Sequence, residues 1–244
     1  MLQFSLVEQI ALALFLLSGI SFFLYHLLLR LRIVLKGKSN FSVDELPKRI
    51  IRVFDEVILH KKVASGKRKS AGILHALVMY GFIFFGLITI NHFGMAFGLP
   101  IFSESFRHTY FLIFGAPWAI LCTIGILGLA YRRFVIKPEA LGKFSSTSAL
   151  VSVFIVTLMT TYLIDELHIL TGAAEKFNWW LHSGVIGGFL FLIPQSKHMH
   201  LVLSPFNIFL RPFEVPNHGA IPIDMEASEE ELDNLLLDLS RLSK

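Results

Sequence analysis

Trp179-Trp180-Leu181-His182-Ser183-Gly184-Val185-Ile186-Gly187-Gly188-Phe189-Leu190-Phe191-Leu192-Ile193-Pro194-Gln195-Ser196-Lys197-His198-Met199-His200 is a mostly apolar run framed by histidines. His182 and His200 stand 18 positions apart. At 100° per residue this is five whole helical turns, so both imidazoles would leave the same face, about 27 Å apart along the axis. The hydrocarbon layer of a bilayer is roughly 30 Å thick. One continuous helix would therefore offer a nitrogen ligand near each membrane face, the geometry for two stacked metal centres. Pro194 removes a backbone donor and crowds the preceding turn, which predicts a kink there.

Composition supports a membrane setting for this helix. The chain has 244 residues, of which 54% are hydrophobic and 16% charged, which points to a polytopic membrane protein. The first apolar run lacks a basic leader and is long enough to span, so no cleavable signal is expected. Cys122, inside an apolar run, is the sole cysteine. That excludes a disulfide framework, a thiolate zinc site, and an iron–sulfur cluster held by this chain alone.

Five spans are predicted, at residues 6–29, 71–97, 110–130, 148–164 and 177–203. The expected fold is all-α, a bundle of five transmembrane helices over residues 1–211, followed by an acidic tail over 212–244. Lysine and arginine crowd positions 30–69, recur after the third span (Arg132, Arg133, Lys137, Lys143), and recur after the fifth (Lys197, Arg211). The two opposite loops hold only Arg107 and Lys176. The positive-inside rule then puts the N-terminus outside and the C-terminus in the cytoplasm. A basic stretch lying between two hydrophobic spans reads as a cytoplasmic loop and not as a nucleic-acid surface. Within that loop (33–70), Ser42-Val43-Asp44-Glu45 is a capping-box pattern with Pro47 behind it. Ile50, Ile51, Phe54, Val57 and Ile58 follow at helical spacing, which predicts a basic amphipathic helix on the inner leaflet or against a partner. The tail repeats the pattern from Ser228, with Leu232, Leu235, Leu236 and Leu239 as its stripe.

Ten histidines are present. An ionisable residue inside a span is a functional candidate, and histidine is the usual axial ligand of b-type haem. His75 at the entry to the second span and His200 at the end of the fifth lie at one depth on different helices. They form a candidate inner, cytoplasmic-side haem site. His182 lies near the outer face, and its partner is His92, late in the second span, or His108, just before the third. His92 is rotated by roughly 100° from His75 about their shared helix, so the bundle would have to wrap around an outer haem. His26, His60, His168, His198 and His218 read as surface or interfacial residues.

These residues resemble a known family. Trp180-Leu181-His182, then Ile193-Pro194-Gln195-Ser196-Lys197-His198-Met199-His200, then Ser204-Pro205-Phe206-Asn207 and Arg211 resemble the final span of the nitrate reductase gamma-subunit-like cytochromes b. That family takes in the heterodisulfide reductase cytochrome subunit and the membrane domain of larger Fe–S oxidoreductases. Arg132-Arg133 and Lys137-Pro138 are also similar, and the likeness covers residues 67–211. It implies that His182 and His200 bind different b haems and that His75 pairs with His200. The nitrate reductase subunits carry a second histidine about three turns into the second span. Phe82-Ile83-Phe84-Phe85 stands there instead, so the outer haem either takes a displaced ligand, His92 or His108, or is absent and the protein holds one haem b.

The resemblance further implies electron transfer between menaquinone or ubiquinone and a cytoplasmic Fe–S protein, with a flavoprotein subunit as a further partner. The setting would be the prokaryotic cytoplasmic membrane. Asp165, Glu166 and His168, at the outer end of the fourth span, are candidates for proton exchange with the quinone. The positive loop and Arg132-Arg133 suit haem propionates or anionic membrane lipid. The competing reading is a haem-free membrane anchor that recruits a soluble redox enzyme.

Overall fold

The computed structural model describes residues 2–35, 43–59, 69–211 and 213. The chain divides into two units, Met1–Phe209 and Leu210–Lys244. Among the described residues the first unit is helical, without a strand. Its long helices are α1 (Leu6–Leu35), α3 (Lys69–Ala96), α4 (Glu104–Ile136), α5 (Ser146–Glu166) and α6 (Gly172–Leu192). Two shorter ones are α2 (Leu46–Val53) and α7 (His200–Leu210). Helices α1, α3, α4 and α5 lie where the first four spans are expected, α1 running on to Leu35 and α3 starting at Lys69, while α6 ends eleven residues before the expected end of the fifth span at 203.

Helix starts follow local hydrogen-bonding chemistry. A capping box forms at Ser5–Glu8: the Ser5 N–H donates to Glu8 Oε2 (2.8 Å), and the Glu8 N–H donates to Ser5 Oγ (3.3 Å). Ser103 caps α4 and Ser145 caps α5, each accepting a backbone N–H three residues on. Ser42 lies outside the described residues, and α2 starts from the single 3-10 turn Val43–Glu45 with no side-chain cap. Helix α4 carries a π-helical turn at Phe111–Gly115, just before Pro117. The extra residue of a π turn absorbs the N–H and the space that the proline denies to the preceding turn.

Among the described residues, four helices are long and apolar enough to cross a bilayer: Leu6–Ile33 within α1, then α3, α4 and α5. At 21 residues α6 matches α5 in length, but Glu175, Lys176, Asn178, His182 and Ser183 make its first half polar. Two of these, Asn178 and Ser183, are buried (5% and 0% exposed), so the polar side of α6 faces protein.

The expectation of one continuous helix through His182 and His200 is overturned. Helix α6 ends at Leu192, turns follow, and α7 begins at His200 itself. Pro194 is the physical reason: it supplies no N–H to continue the ladder. What the sequence suggested as a kink is a break, and the 18-residue register between the two histidines does not hold.

The helices pack as a chain of neighbours: α1 on α6, α6 on α5, α5 on α4 and α4 on α3. Close approach relies on small residues, as expected where lipid removes the hydrophobic drive between helices. A Cβ on Gly125 of α4 would stand 2.8 Å from the Leu74 carbonyl of α3, and one on Gly187 of α6 would collide with the Phe15 ring of α1. Helices α3 and α6 meet through aromatic side chains instead: Phe82 on Phe189 (6.1 Å between ring centroids) and His92 on Trp179 (4.6 Å). Leu14, Leu17, Leu87, Ile90, Ile120, Leu127 and Val153 point outward and are more than half exposed, the pattern of a bundle wetted by acyl chains.

Candidate cofactor site

Two histidine pairs bridge α3 to the α6–α7 segment, one at each end of α3. At one end the His75 and His200 rings are neighbours, with centroids 6.0 Å apart and planes tilted by 35°. The His200 Nδ1 lies 2.9 Å from the Lys197 carbonyl. A carbonyl oxygen only accepts, so Nδ1 carries the proton and Nε2 keeps its lone pair. This arrangement, one ring nitrogen tied to a backbone carbonyl and the other free, is how proteins orient metal-binding histidines. An iron between two imidazoles needs two metal–nitrogen bonds of about 2.0 Å, which puts the ring centroids roughly 6.3 Å apart. The observed 6.0 Å fits this spacing.

At the other end His92 and His182 have centroids 5.0 Å apart and planes at 55°. The Thr161 hydroxyl donates its one hydrogen toward the Thr157 carbonyl (2.7 Å), with the Leu158 carbonyl at 3.2 Å. Its oxygen therefore accepts from His182 Nδ1–H at 2.7 Å, again leaving Nε2 as the free nitrogen. Asn178 Nδ2 donates to the Thr161 carbonyl (2.9 Å) and locks α6 to α5 at this point. His92 stacks on Trp179 with planes 13° apart, and its Nε2 is hydrogen-bonded to Ser183 Oγ (2.9 Å). The centroid separation here is about 1.3 Å less than two metal–nitrogen bonds require. A shared iron at this end asks the rings to part and Ser183 to release His92.

A cavity of about 350 Å³ opens beside this second pair. Its walls include Phe85, Ile88, Phe102, Met159, Trp179 and Ile186. Arg107, Asp165, Glu166, His168 and Glu175 line its polar side, and Arg107 Nε lies 3.7 Å from Glu166 Oε1. The Tyr162 hydroxyl, on the same wall, is buried and has no hydrogen-bond partner. Asn91 shapes the rim: its Oδ1 accepts the backbone N–H groups of Ile101 and Phe102 (2.9 and 3.0 Å), folding that loop back onto α3.

The structure thus brings His75 to His200 and His92 to His182. His108, the other contender, is exposed on the first turns of α4 and is not among the residues lining the cavity. The break after Leu192 removes the difficulty posed by the 100° offset between His75 and His92, because His182 and His200 no longer share a helical face. Asp165, Glu166 and His168 line the cavity, and His198 sits next to His200 with centroids 6.4 Å apart. His26 packs on Phe22 within α1 (4.5 Å), while His60 and His218 lie outside the described residues. Thr161, Asn178, Trp179, Ser183 and Asn91 were not singled out from sequence. Asn178 and His182, four residues apart, do share one face of the helix, a readable signal. No group of three or more His, Cys, Asp or Glu side chains suited to a metal ion occurs among the described residues. A haem iron asks the protein for only two axial ligands.

No protein-family model and no solved structure matches the chain. The chain is similar to a protein of Bacillus subtilis (strain 168) named "Probable iron-sulfur-binding oxidoreductase FadF", 29% identical over 222 residues. The match takes in 79% of this chain but 31% of that protein, so the chain spans about a third of the length of the curated relative it matches. An all-helical bundle with four helices able to cross a membrane, joined to this likeness, fits a redox-related membrane protein.

Proposed function

We propose that this chain is the membrane cytochrome b portion of a quinone-linked oxidoreductase. In this reading it passes electrons between a quinone pool and a cytoplasmic Fe–S or flavin partner. The observation that carries the reading is the His75–His200 pair: neighbouring rings at near-ligating separation, with His200 Nδ1 tied to the Lys197 carbonyl and Nε2 turned free. His75 and His200 would hold the inner b haem. His182, oriented by Thr161, would hold an outer one together with His92. Haem b, when bound, supplies a one-electron couple at each position. The chain's own part would be to fix the ligating nitrogens, His182 in an enclosed place and His200 at an exposed one.

The cavity beside His182 suits a quinone ring. Its aromatic and aliphatic walls would take the ring and the start of an isoprenoid tail. Asp165 and Glu166 on the polar side, beside Arg107, are positioned to exchange protons with solvent. The length of the Bacillus subtilis relative supports a redox partner domain beyond the part that this chain matches. The positive-inside pattern supports an outside N-terminus and a partner on the cytoplasmic face, in the inner membrane of a prokaryote.

The test is a reduced-minus-oxidised optical spectrum of the purified protein, with haem counted per chain. His200→Ala is expected to remove one haem and His182→Ala the other. A spectrum without b-type bands, from protein produced with ample haem, would leave the haem-free anchor as the reading.

A further inference from the structure

Helix α2 and the π turn after it, Phe54–Ile58, do not lie loose between α1 and α3. Side-chain hydrogen bonds pin them at both ends. Arg49, 2% exposed, donates from Nη1 to the Phe209 carbonyl of α7 (2.8 Å) and from Nη2 to Glu45 (2.7 Å). At the other end the Tyr80 hydroxyl of α3 donates to the Ile58 carbonyl (2.6 Å). The segment therefore straps together α3 and α7, the two helices that carry His75 and His200. A basic helix merely floating on a surface would keep its arginines solvated, and here Arg49 is spent on the strap.

With its polar side committed, α2 turns its other side outward. Val43, Leu46, Ile50, Ile51 and Phe54 fall on one arc of the helix and are 71%, 36%, 56%, 60% and 52% exposed. Depth decides what covers them. Helix α3 has 28 residues. It is therefore about 42 Å long and overshoots a roughly 30 Å hydrocarbon layer by about 6 Å at each end. Tyr80 lies eleven residues past Lys69. Its Cα is then about 16 Å along the helix, or roughly 10 Å inside the hydrocarbon boundary. Helical side chains lean back toward the N-terminus, so a tyrosine hydroxyl reaches about 6 Å upward. The Ile58 carbonyl that it meets sits within about 4 Å of the acyl boundary. That is the level at which interfacial amphipathic helices bury their apolar face.

We propose that α2 is an interfacial helix whose apolar arc lies in the acyl-chain boundary of the leaflet on the His75–His200 side. In that position it straps α3 to α7 across the inner histidine pair. The occupant of the exposed arc is lipid. The arc is apolar and exposed, as are the outward faces of the spans, its depth is that of the acyl boundary, and Lys48, away from the arc on α2, is exposed where headgroups would lie. Haem plays no part in this assignment; only the crossing of α3 does.

The test uses the full chain in phosphatidylcholine–phosphatidylglycerol vesicles. Nitroxide labels are placed at Ile50→Cys, Phe54→Cys or Lys48→Cys, all exposed positions where substitution spares the fold. Buried Cys122 is left in place, and protein without an added cysteine gives the background. Collision with oxygen, which partitions into lipid, is compared with collision with a water-soluble nickel chelate. The oxygen-to-nickel ratio at Ile50 and Phe54 is expected to exceed that at Lys48 severalfold. Tyr80→Phe is expected to lower the ratio at Ile50 by freeing the Ile58 carbonyl. Equal nickel access at all three sites would overturn the proposal. So would labels at Ile50 and Phe54 closed to both agents, since that marks a protein partner over the arc.

Discussion

Thr161→Val probes the outer site through a residue that touches no iron. Valine matches threonine in shape but cannot accept a hydrogen bond. Thr161 is 4% exposed, and its hydroxyl holds His182 Nδ1–H at 2.7 Å. The substitution leaves that N–H without an acceptor in an enclosed place, a cost of about 1–3 kcal/mol. At about 1.4 kcal/mol per tenfold this is roughly 5- to 150-fold in affinity, in line with the roughly 10–100-fold that orienting partners of metal ligands are worth. The inner pair lies about 26 Å away along α3, far enough for the two sites to respond independently. Haem titrated into apoprotein and followed by absorbance should therefore show one site weakened about 10–100-fold and one unchanged, with Thr161→Ser near wild type. Unchanged affinity at both sites in Thr161→Val would refute the orienting role, and loss of the inner haem would refute the separation into two sites.

Ser183→Ala should act in the opposite sense. It frees His92 Nε2, so outer-site haem affinity should hold or rise in the same titration; a fall would mean that Ser183 supports the ligand and does not compete for it. His92→Ala should lose the outer haem while His108→Ala keeps both, read as haem per chain. The reverse result would restore His108 as the ligand. Gly187→Leu drives a side chain into Phe15 and should cost about 1–3 kcal/mol, seen as a lower Tm in detergent, whereas Gly184→Ala, with open space at its Cβ, should leave Tm unchanged. Equal Tm values for the two glycine variants would contradict close α1–α6 packing at Gly187.

The helices were legible because apolar runs of membrane length carry a strong signal: α4 and α5 contain the runs at 110–130 and 148–164, and α3 covers the run at 71–97 up to Ala96. Depth pairs His75 with His200 and leaves His92 and His108 as contenders for His182; the structure sets His75 beside His200 and His92 beside His182. The shared helical face of His182 and His200 was a misreading. A wheel assumes an unbroken ladder, and Pro194 breaks it. Three S-x-x-E patterns occur, at Ser5, Ser42 and Ser228; the last two serines lie outside the described residues, and in the box at Ser5 Glu8 is also held by Lys176 (2.7 Å), a contact 168 residues away in sequence. Arg49 read as one more cation of a basic face. Only the fold shows that it reaches the Phe209 carbonyl. Thr161 and Ser183 are neutral residues whose importance depends on which imidazole they meet, and a single helix cannot reveal that.

The most direct measurement of the central claim is the haem content of the purified chain, taken from its reduced-minus-oxidised spectrum beside that of His75→Ala and His200→Ala. The account predicts b-type bands in the parent protein, and loss of the same haem, and no other, in each of the two variants. Protein free of haem when haem is plentiful would contradict it. So would full haem content in both variants, since the neighbouring rings at 6.0 Å would then hold no iron.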